Sequence, residues 1–476
     1  MTSPASARER AREGDDGRER AMRRAAELAF AYLRGLPERT VGARADAADL
    51  REALGTLPED GQDPEGVIDA LASAVDPGLV ASAGPRYFGF VIGGALPASA
   101  AADWLATAWD QNAALHASSP AAAAAEQVAG DWMLDLLGLP ADASFGLPSG
   151  AGLGNTVGLA AARHAVLARE GWDVEARGLY GAPEISVVIG DEAHATVATA
   201  LQYLGLGRDR VRRIATDEQG RMRVDALAHE LRSVSGPTIV CAQAGNVNTG
   251  AFDPTDAIAD LLAERTNAWL HIDGAFGLWA AVSPHLRHLV AGVERADSWA
   301  TDAHKWLNVV YDCGFVAVRD RAAHRAAMAA AAAYLMPSEV QRENWEYVLD
   351  SSRRARGFAL YATLRSLGRS GVRDLVERCC TLARRMAEQL AAADGVEVLN
   401  DVVLNQVLVR FTPPGGGDAD AFTREVVARV QADGTAWMGG TAWHGMGAMR
   451  ISVSSWATTE SDADATVDAI LQAAAG

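Results

Sequence analysis

Short apolar runs of strand character alternate with helical patterns in the middle of the chain. The strand-like runs cover residues 184–190, 210–216, 237–245, 268–276, 298–301 and 313–319. Most of them are separated by segments with apolar residues at helical spacing, such as 195–206 and 254–266. This alternation is typical of a mostly parallel sheet with helices on both faces, so the sequence predicts an α/β fold.

The pattern is helical on both sides of this region. Helical spacing runs from residue 20 to 81, and a second helical stretch after residue 320 leads to strand-like runs at 405–411 and 448–455. We therefore predict three parts. They are an N-terminal helical extension over 1–85, a large domain over 86–330, and a helical bridge with a smaller C-terminal α/β domain over 331–476.

Composition and charge exclude several classes of protein. The 476 residues are 49% hydrophobic and carry a net charge of −18, which disfavours nucleic acid or an anionic membrane as a partner. The first 24 residues are rich in both charge signs and lack the apolar core of a signal peptide. The most apolar run, residues 326–336, is too short to span a bilayer. We expect a cytoplasmic protein.

The cysteines give no sign of a metal or redox site. Cys241, Cys313, Cys379 and Cys380 show none of the paired spacings of metal ligands. Reduced, buried or inert thiols are the expected state in the cytoplasm, and no metal is predicted.

Lys305 is the only lysine among 43 basic residues. On a solvated surface lysine and arginine are interchangeable as positive charges. Only the lysine amine can be made neutral by its surroundings and attack a carbonyl. The single lysine therefore suggests amine chemistry. Chance survival or a structural role would also account for it, so the neighbouring residues have to decide.

Four positions that follow predicted strands complete a chemical pattern. In open α/β sheets ligands bind beyond the carboxyl ends of the strands. The glycine-rich turn 148–156 opens a helix and can bring backbone N–H groups to a phosphate. His194, Asp273 and Lys305 follow later strands. Pyridoxal phosphate needs such a set, because the lysine forms a Schiff base and the carboxylate keeps the ring nitrogen protonated.

Alternatives explain fewer of these residues. A buried ion pair between Asp273 and Lys305 would account for two of them, but not for the histidine and the glycine turn. A Rossmann site lacks its G-x-G-x-x-G spacing here, and a P-loop lacks the Gly-Lys-Ser/Thr that should follow the turn.

The chain resembles a known family in several segments, in order and spacing. They are DEAHATVATAL, NVNTGAFDP, HIDGAFGLWA, DAHKWLNVVYDCG and SSRRARGFALYATLRSLG. They are similar to the group II pyridoxal-phosphate-dependent amino acid decarboxylases, which include aromatic-L-amino-acid and glutamate decarboxylases. The resemblance runs from about Tyr87 to the C-terminus. It implies the fold type I of aspartate aminotransferase, with 86–330 as the cofactor domain, and a homodimer with active sites at the interface.

The resemblance also implies roles for single residues. Lys305, His194 and Asp273 would be catalytic, with His194 stacked on the cofactor ring and Asp273 on its nitrogen. Ser352 would reach the phosphate from the neighbouring subunit. The full set expected to contact the cofactor is Gly150, Ala151, Gly152, Asn155, His194, Asn246, Asp273, Ala275, Asp302, His304, Lys305 and Ser352.

The implied reaction is decarboxylation of an L-amino acid to its amine. Tyr87, Phe88 and Phe90 match the segment that lines the substrate pocket in the family, which favours an aromatic or bulky neutral substrate. Arg450 is a further candidate for binding a carboxylate, although a structural role in the small domain is the leading interpretation.

Two features depart from the family pattern. The phosphate turn has Gly152 and Leu153 where the family has a hydroxyl residue and an acidic one, so the backbone must carry more of the binding. No tyrosine stands in the expected context of the catalytic loop; Tyr334 and Tyr347 are the candidates for the proton donor. Without such a donor the carbanion could react with oxygen or an electrophile, which keeps an aldehyde synthase or a carbon-carbon lyase or ligase as the alternative.

Overall fold

The computed structural model describes residues 17–329 and 341–476. The α-helices of this part are α1 Arg18–Gly35, α2 Ala47–Leu54, α3 Pro64–Val75, α4 Pro97–Trp109, α5 Pro120–Leu136, α6 Ala151–Ala168, α7 Val174–Arg177, α8 Ala195–Tyr203, α9 Val224–Ser233, α10 Thr255–Ala263, α11 Arg321–Met328, α12 Arg356–Ala391, α13 Ala419–Asp433 and α14 Glu460–Ala475. Short 3₁₀ segments lie at Asp76–Gly78, Gly277–Val282, Arg287–Val290, Val293–Arg295 and Asn344–Tyr347. No described helix is long and apolar enough to cross a membrane.

The strands form two sheets. They are β1 Ser144–Gly146, β2 Ser186–Gly190, β3 Arg212–Ile214, β4 Thr238–Gln243, β5 Ala268–Asp273, β6 Ser298–Asp302, β7 Gly314–Val318, β8 Val396–Val398, β9 Gln406–Phe411, β10 Gly439–Trp443 and β11 Met446–Ser452. The larger sheet has the order β1-β7-β6-β5-β4-β2-β3, and the smaller one has the order β10-β11-β9-β8.

The larger sheet is parallel except for β7, which pairs antiparallel with both β1 and β6. Strands β4 and β6 are buried along their whole length. Burial on both faces explains why neither strand has the alternation of exposed polar and buried apolar residues that marks a half-buried strand. The mostly parallel sheet predicted from the alternating pattern is therefore present, and each predicted strand overlaps an observed one.

Helix α6 crosses one face of this sheet and is almost wholly buried. Its small residues allow the close approach, since a side chain at Gly158 would come within 2.8 Å of the His271 ring. Helix α12 is interrupted at Gly368, whose φ of 60° takes the chain out of helical geometry. The smaller sheet lies within the predicted C-terminal domain, while the domain boundaries themselves stay a prediction.

Candidate active site

The carboxyl ends of β4, β5 and β6 meet at one edge of the larger sheet. Gln243 lies opposite Asp273 in the register of β4 and β5, and Asp273 lies opposite Ala300 of β6. Lys305 follows three residues after the end of β6. A cleft of about 380 Å³ opens here. Its lining residues are Ala151, Gly152, His194, Thr196, Gln243, Gly245, Val247, Asp273, Ala275, Phe276 and Lys305.

The glycine-rich turn brings the N-terminus of α6 to this cleft. Gly150 is the N-cap and supplies no side-chain hydrogen bond to the first turn. The Ala151 N–H donates instead to Asp302 Oδ1 at 2.6 Å. A side chain at Gly314 would come within 2.7 Å of the Gly150 backbone, so this close contact needs a glycine at position 314. The other N–H groups of the first helical turn remain available to an anion.

Lys305 pairs with Asp302 and not with Asp273. Its Nζ lies 2.9 Å from Asp302 Oδ2, and the Lys305 side chain is 22% exposed against 3% for Asp302. This geometry removes the simple explanation that Asp273 and Lys305 form a structural ion pair. The amine sits between a buried carboxylate and the open cleft, where a reactive lysine must be.

His304 is fixed beside the same carboxylate. Its Nδ1 accepts the Cys313 N–H at 3.1 Å, so the neutral ring carries its proton on Nε2, which is 3.5 Å from Asp302 Oδ1. The ring stacks on Tyr311 with centroids 4.2 Å apart. Burial lowers the pKa of His304, and Lys305 acts in the same direction against the opposing pull of Asp302.

Asp273 is a buried carboxylate that faces the cleft. It is 4% exposed and accepts the Ala275 N–H at 3.3 Å. Burial raises its pKa, while His194, Lys305 and a hydrogen bond from Asn155 oppose that rise. A cationic or N–H partner within the cleft would hold this carboxylate ionised.

His194 is the N-cap of α8 and lines the opposite wall. Its Nδ1 accepts the Thr196 N–H at 3.3 Å and lies 2.9 Å from Thr196 Oγ1. Burial is the main cause that lowers the pKa of His194; Lys305 and Arg450 add to it, and Asp273 opposes it. The ring is therefore neutral at neutral pH.

Two expected cofactor contacts lie below or beside the cleft. Asn155 is fully buried under it, and its amide bonds Thr196 and His271. The Asn246 side chain closes a turn, because its Oδ1 accepts from the N–H groups of Asn248 and Thr249 and its Nδ2 donates to the Glu192 carbonyl. Both polar ends of Asn246 are thus used by the backbone, and it does not line the cleft.

Ser352 is exposed and accepts a hydrogen bond from Asn112 Nδ2 at 3.3 Å. It does not line the cleft of its own subunit. Its expected contact with the cofactor of a neighbouring subunit stays a prediction.

The aromatic segment differs from expectation. Phe88 is 0% exposed and belongs to the main core, so it has no face left for a substrate. Tyr87 stacks on Trp437 with centroids 5.1 Å apart, and Phe90, which is 59% exposed, packs on the same indole at 5.5 Å. Tyr87 is itself only 5% exposed, so Phe90 alone keeps a large accessible face, and none of the three is among the residues that line the cleft.

Of the two candidate proton donors, Tyr347 lies within the described residues and is not among those that line the cleft. Tyr334 lies outside the described residues. Tyr347 is buried, packs edge-on against His324 at 5.1 Å and carries Arg342 over its ring. It is a packing residue in this subunit.

Several lining residues were not anticipated from the sequence. Thr196 stands two residues after His194, at the spacing of a helix cap, and Gln243 ends a predicted strand; both signals were present in the chain. Tyr311 has no motif of its own, and only the fold shows that it stacks on His304.

The four cysteines are free and buried, as expected. Burial raises the pKa of Cys313 to about 12 and that of Cys379 to about 11, so both stay as inert thiols. In the part of the chain that the structure describes, no group of three metal-ligating side chains occurs.

The model of the pyridoxal-dependent decarboxylase conserved domain matches residues 49–412. The chain belongs to the pyridoxal-dependent decarboxylase family. This confirms the family predicted from the motifs, and with it a pyridoxal-phosphate-dependent enzyme that decarboxylates amino acids.

Relatives cover most of the decarboxylase chain. Tryptophan decarboxylase 1 from Oryza sativa subsp. japonica is 30% identical over 414 residues, 81% of this chain and 79% of the relative. Aromatic-L-amino-acid decarboxylase from Bacillus atrophaeus is 28% identical over 429 residues, 88% and 87% of the two chains. The 4-hydroxyphenylacetaldehyde synthase of Rhodiola rosea is 27% identical over 453 residues, 91% and 90% of the two chains.

The crystal structure of Oryza sativa TDC with PLP and tryptamine superposes with a TM-score of 0.89 at 25% identity, covering 100% of this chain and 99% of that one. The mouse CSAD structure has the same fold, with a TM-score of 0.88 at 23% identity over 96% and 98% of the chains. The predicted fold type I is therefore confirmed.

The residues of the cleft fit pyridoxal phosphate. Lys305 supplies an amine, and Asp273 is a buried carboxylate whose partner must come from the cleft. The uncapped turn at Gly150 and the Nε2–H of His304 supply donors for a phosphate. No metal is needed to explain any of these groups.

Proposed function

We propose that this decarboxylase acts on an aromatic L-amino acid and releases the corresponding amine. The observation that carries the proposal is the convergence of Lys305, Asp273 and His194 on one cleft beside an uncapped helix N-terminus. The tryptophan and aromatic-L-amino-acid decarboxylases among the relatives support an aromatic substrate.

Each cleft residue would have a distinct task. Pyridoxal phosphate, when bound, supplies an electron sink for the pair left when the carboxylate is lost. Lys305 presents the amine that anchors the cofactor and that the substrate amine replaces. Asp273 would carry the negative charge that keeps the ring nitrogen protonated, and His194 would supply an imidazole beside the cofactor. The first turn of α6 and His304 bind the phosphate, while Asp302 keeps Lys305 in place at 2.9 Å.

Arg450 supplies a cation for the substrate side. Burial lowers its pKa, and no acidic group of the described residues opposes that shift. Its positive charge also contributes to the lowered pKa of His194. A half-buried guanidinium without a carboxylate partner suits the α-carboxylate of an amino acid. We propose this use of Arg450 beside the structural role that the sequence favours for it.

A homodimer is part of the proposal. The N-terminal helices α1 and α4 expose Phe30, Leu33, Trp104, Leu105 and Trp109, each more than two-fifths accessible. An apolar surface of this kind marks an interface. A second copy of the chain is the proposed occupant, because the exposed Ser352 bonds Asn112, three residues after the end of α4, and would then lie near the interface. Sedimentation of the holoenzyme as a monomer at micromolar concentration would contradict this. Function in the cytoplasm also stays a prediction.

The deciding experiment measures carbon dioxide, amine and oxygen together. The purified chain with pyridoxal phosphate is supplied with tryptophan, tyrosine, phenylalanine and, as the contrasting pool, glutamate and aspartate. We expect carbon dioxide from the aromatic pool only, with one amine formed per carbon dioxide and no oxygen uptake. Aldehyde with oxygen uptake would establish the alternative synthase activity. Release from the acidic pool alone would overturn the aromatic assignment.

A further inference from the structure

A chain of hydrogen bonds runs through the buried floor of the cleft. It begins at Trp269, whose Nε1–H donates to Ser298 Oγ at 2.8 Å. An indole N–H can only donate, so the Ser298 oxygen accepts there and its own proton is left for His271 Nδ1, also at 2.8 Å. All three residues are at most 1% exposed. Burial lowers the pKa of His271 to about 3, which leaves a neutral ring with one N–H. His271 therefore accepts at Nδ1 and donates at Nε2.

The chain continues from His271 to His194. His271 Nε2 lies 3.0 Å from Asn155 Oδ1, and Asn155 Nδ2 donates to Thr196 Oγ1 at 3.3 Å. The Thr196 hydroxyl then has its proton free for His194 Nδ1, 2.9 Å away. The Thr196 backbone N–H approaches the same nitrogen at 3.3 Å. With two donors at Nδ1, the neutral His194 ring must carry its proton on Nε2.

Both ends of the chain fix its direction. The Trp269 N–H and the Thr196 backbone N–H are donors that no rotation can turn into acceptors. Reversing the amide of Asn155 would direct its oxygen toward Asp273, with which Asn155 shares a hydrogen bond. Two acceptors would then face each other in a buried site, at a large desolvation cost. A single arrangement satisfies every donor.

We propose that Thr196, oriented by Asn155, is a positioning residue that holds His194 in the tautomer with its proton on Nε2. This assigns Asn155 a place in the hydrogen-bonded floor of the cleft, where its amide contacts His271, Thr196 and Asp273. The proposal rests on the proposed function only in that His194 is taken to face the reacting molecule.

The tautomer matters for what the cleft offers. With Nδ1 held by Thr196, the opposite edge of the ring presents an N–H, which can donate to a carboxylate oxygen of a bound amino acid. The other tautomer would present a lone pair there and repel the same oxygen. Thr196 thus controls whether His194 attracts or repels an acidic group.

The test is nitrogen-15 solid-state NMR of the full chain loaded with pyridoxal phosphate and labelled on its histidine rings. The His194→Gln variant assigns the His194 signals by difference. In Thr196→Val the hydroxyl is replaced at nearly constant volume, while Thr196→Ser keeps it. Thr199→Val removes a hydroxyl of the same helix that bonds the Ala195 carbonyl at the exposed surface, and serves as the matched control.

We expect His194 and His271 of the unmodified chain to show a protonated Nε2 and an unprotonated Nδ1. Thr196→Val removes the 2.9 Å hydroxyl contact and leaves only the longer 3.3 Å backbone N–H at Nδ1. The variant should therefore move His194 toward a mixture with Nδ1 protonated and lower kcat about tenfold, with KM changed less than about twofold. Thr199→Val should match the unmodified chain in both readouts, and Thr196→Ser should restore the protonated Nε2 of His194.

A protonated Nδ1 on either histidine of the unmodified chain would overturn the proposal, as would an unchanged His194 pattern in Thr196→Val. The nitrogen signals do not depend on turnover. If no amino acid releases carbon dioxide while the expected tautomers are seen, the proposed function fails and the assignment of Thr196 stands.

Discussion

Two cation–carboxylate pairs with a buried carboxylate, among those of the described residues, are built from different cations. Lys305 and Asp302 meet at 2.9 Å beside the cleft, and the lysine side chain keeps 22% of its surface exposed. Arg353 and Glu126 meet at 2.7 Å in the helical layer, with exposures of 1% and 0%. A lysine can lose its proton and react, whereas an arginine keeps its charge. The chain has one lysine among 43 basic residues. That lysine stands at the one of these two pairs where the cation must lose its proton and react.

The largest expected effect comes from removing that amine. Lys305→Arg should lower kcat at least about a thousandfold, because a guanidinium cannot anchor the cofactor or exchange with a substrate amine. Its thermal unfolding should stay close to that of the unmodified chain, since arginine can still pair with Asp302. Carbon dioxide release and a melting curve measure the two quantities. Normal turnover by this variant would end the assignment of Lys305.

A change in the pair between Arg353 and Glu126 should affect stability, whereas the change at Lys305 affects activity. Glu126→Gln leaves Arg353 buried and uncompensated, and breaking such a pair costs about 3–5 kcal/mol of stability. Denaturant unfolding of the holoenzyme measures the loss. Asp103→Asn, which breaks the more exposed pair between Asp103 and Arg354 at 2.7 Å, is the control and should cost at most about 1 kcal/mol. Equal losses would mean that burial does not distinguish the two pairs.

Two buried histidines differ from both pairs because their imidazole rings carry no charge at neutral pH. Burial lowers the pKa values of His271 and His324 to about 3, against 6.5 for an ordinary histidine. A folded pKa below the unfolded one gives stability that is present above pH 6.5 and lost as the pH falls toward 3. From about pH 7 to about pH 5.5 the two histidines together should remove about 2.5 kcal/mol. Burial raises the pKa of Asp253 to about 6, so protonation of this carboxyl group adds a smaller amount of stability over the same pH interval.

Unfolding free energies measured across this pH range check that sign. His324→Gln can keep the hydrogen bond to the Tyr347 carbonyl, which His324 Nε2 makes at 3.1 Å, and has no imidazole to titrate. We expect the loss of stability on acidification to be smaller by about 1 kcal/mol in this variant. Stability that rises on acidification would contradict the prediction.

The fold was predictable where the strands are long and buried on both faces. Strands β4 and β5 are apolar runs of six residues, and their alternation with helices defined the sheet. The strands missed are β1 and β8, of three residues each, and β10, which begins with two glycines. Such short or glycine-rich segments contain too few side chains to show a period, and pairing with longer neighbours determines them.

The position of the site could be predicted from the residues that follow the strands. The burial and the hydrogen-bond partners of single side chains could not. His194, Asp273 and Lys305 follow strands whose ends meet at one edge. The partner of Lys305 is Asp302, because the turn after β6 brings its amine back toward the strand end, and only the folded turn shows this. The burial of Phe88 and the backbone contacts of Asn246 likewise depend on packing between distant segments.

The smallest effect is expected from Arg353→Lys, which tests whether the planar guanidinium of Arg353 is needed or only its charge. Arg353 Nη2 bonds both oxygens of Glu126, at 2.7 and 2.8 Å, while its Nε and Nη1 are buried without a hydrogen-bond partner. Arg353→Lys keeps the charge, removes the two unpartnered donors and gives up the planar group. The loss of one good charged hydrogen bond exceeds the relief of those donors, so we expect about 1 kcal/mol of destabilisation by denaturant unfolding. Arg354→Lys at the more exposed pair is the control and should be neutral. A more stable Arg353→Lys protein would show that charge alone is needed there, and that only position 305 distinguishes the two cations.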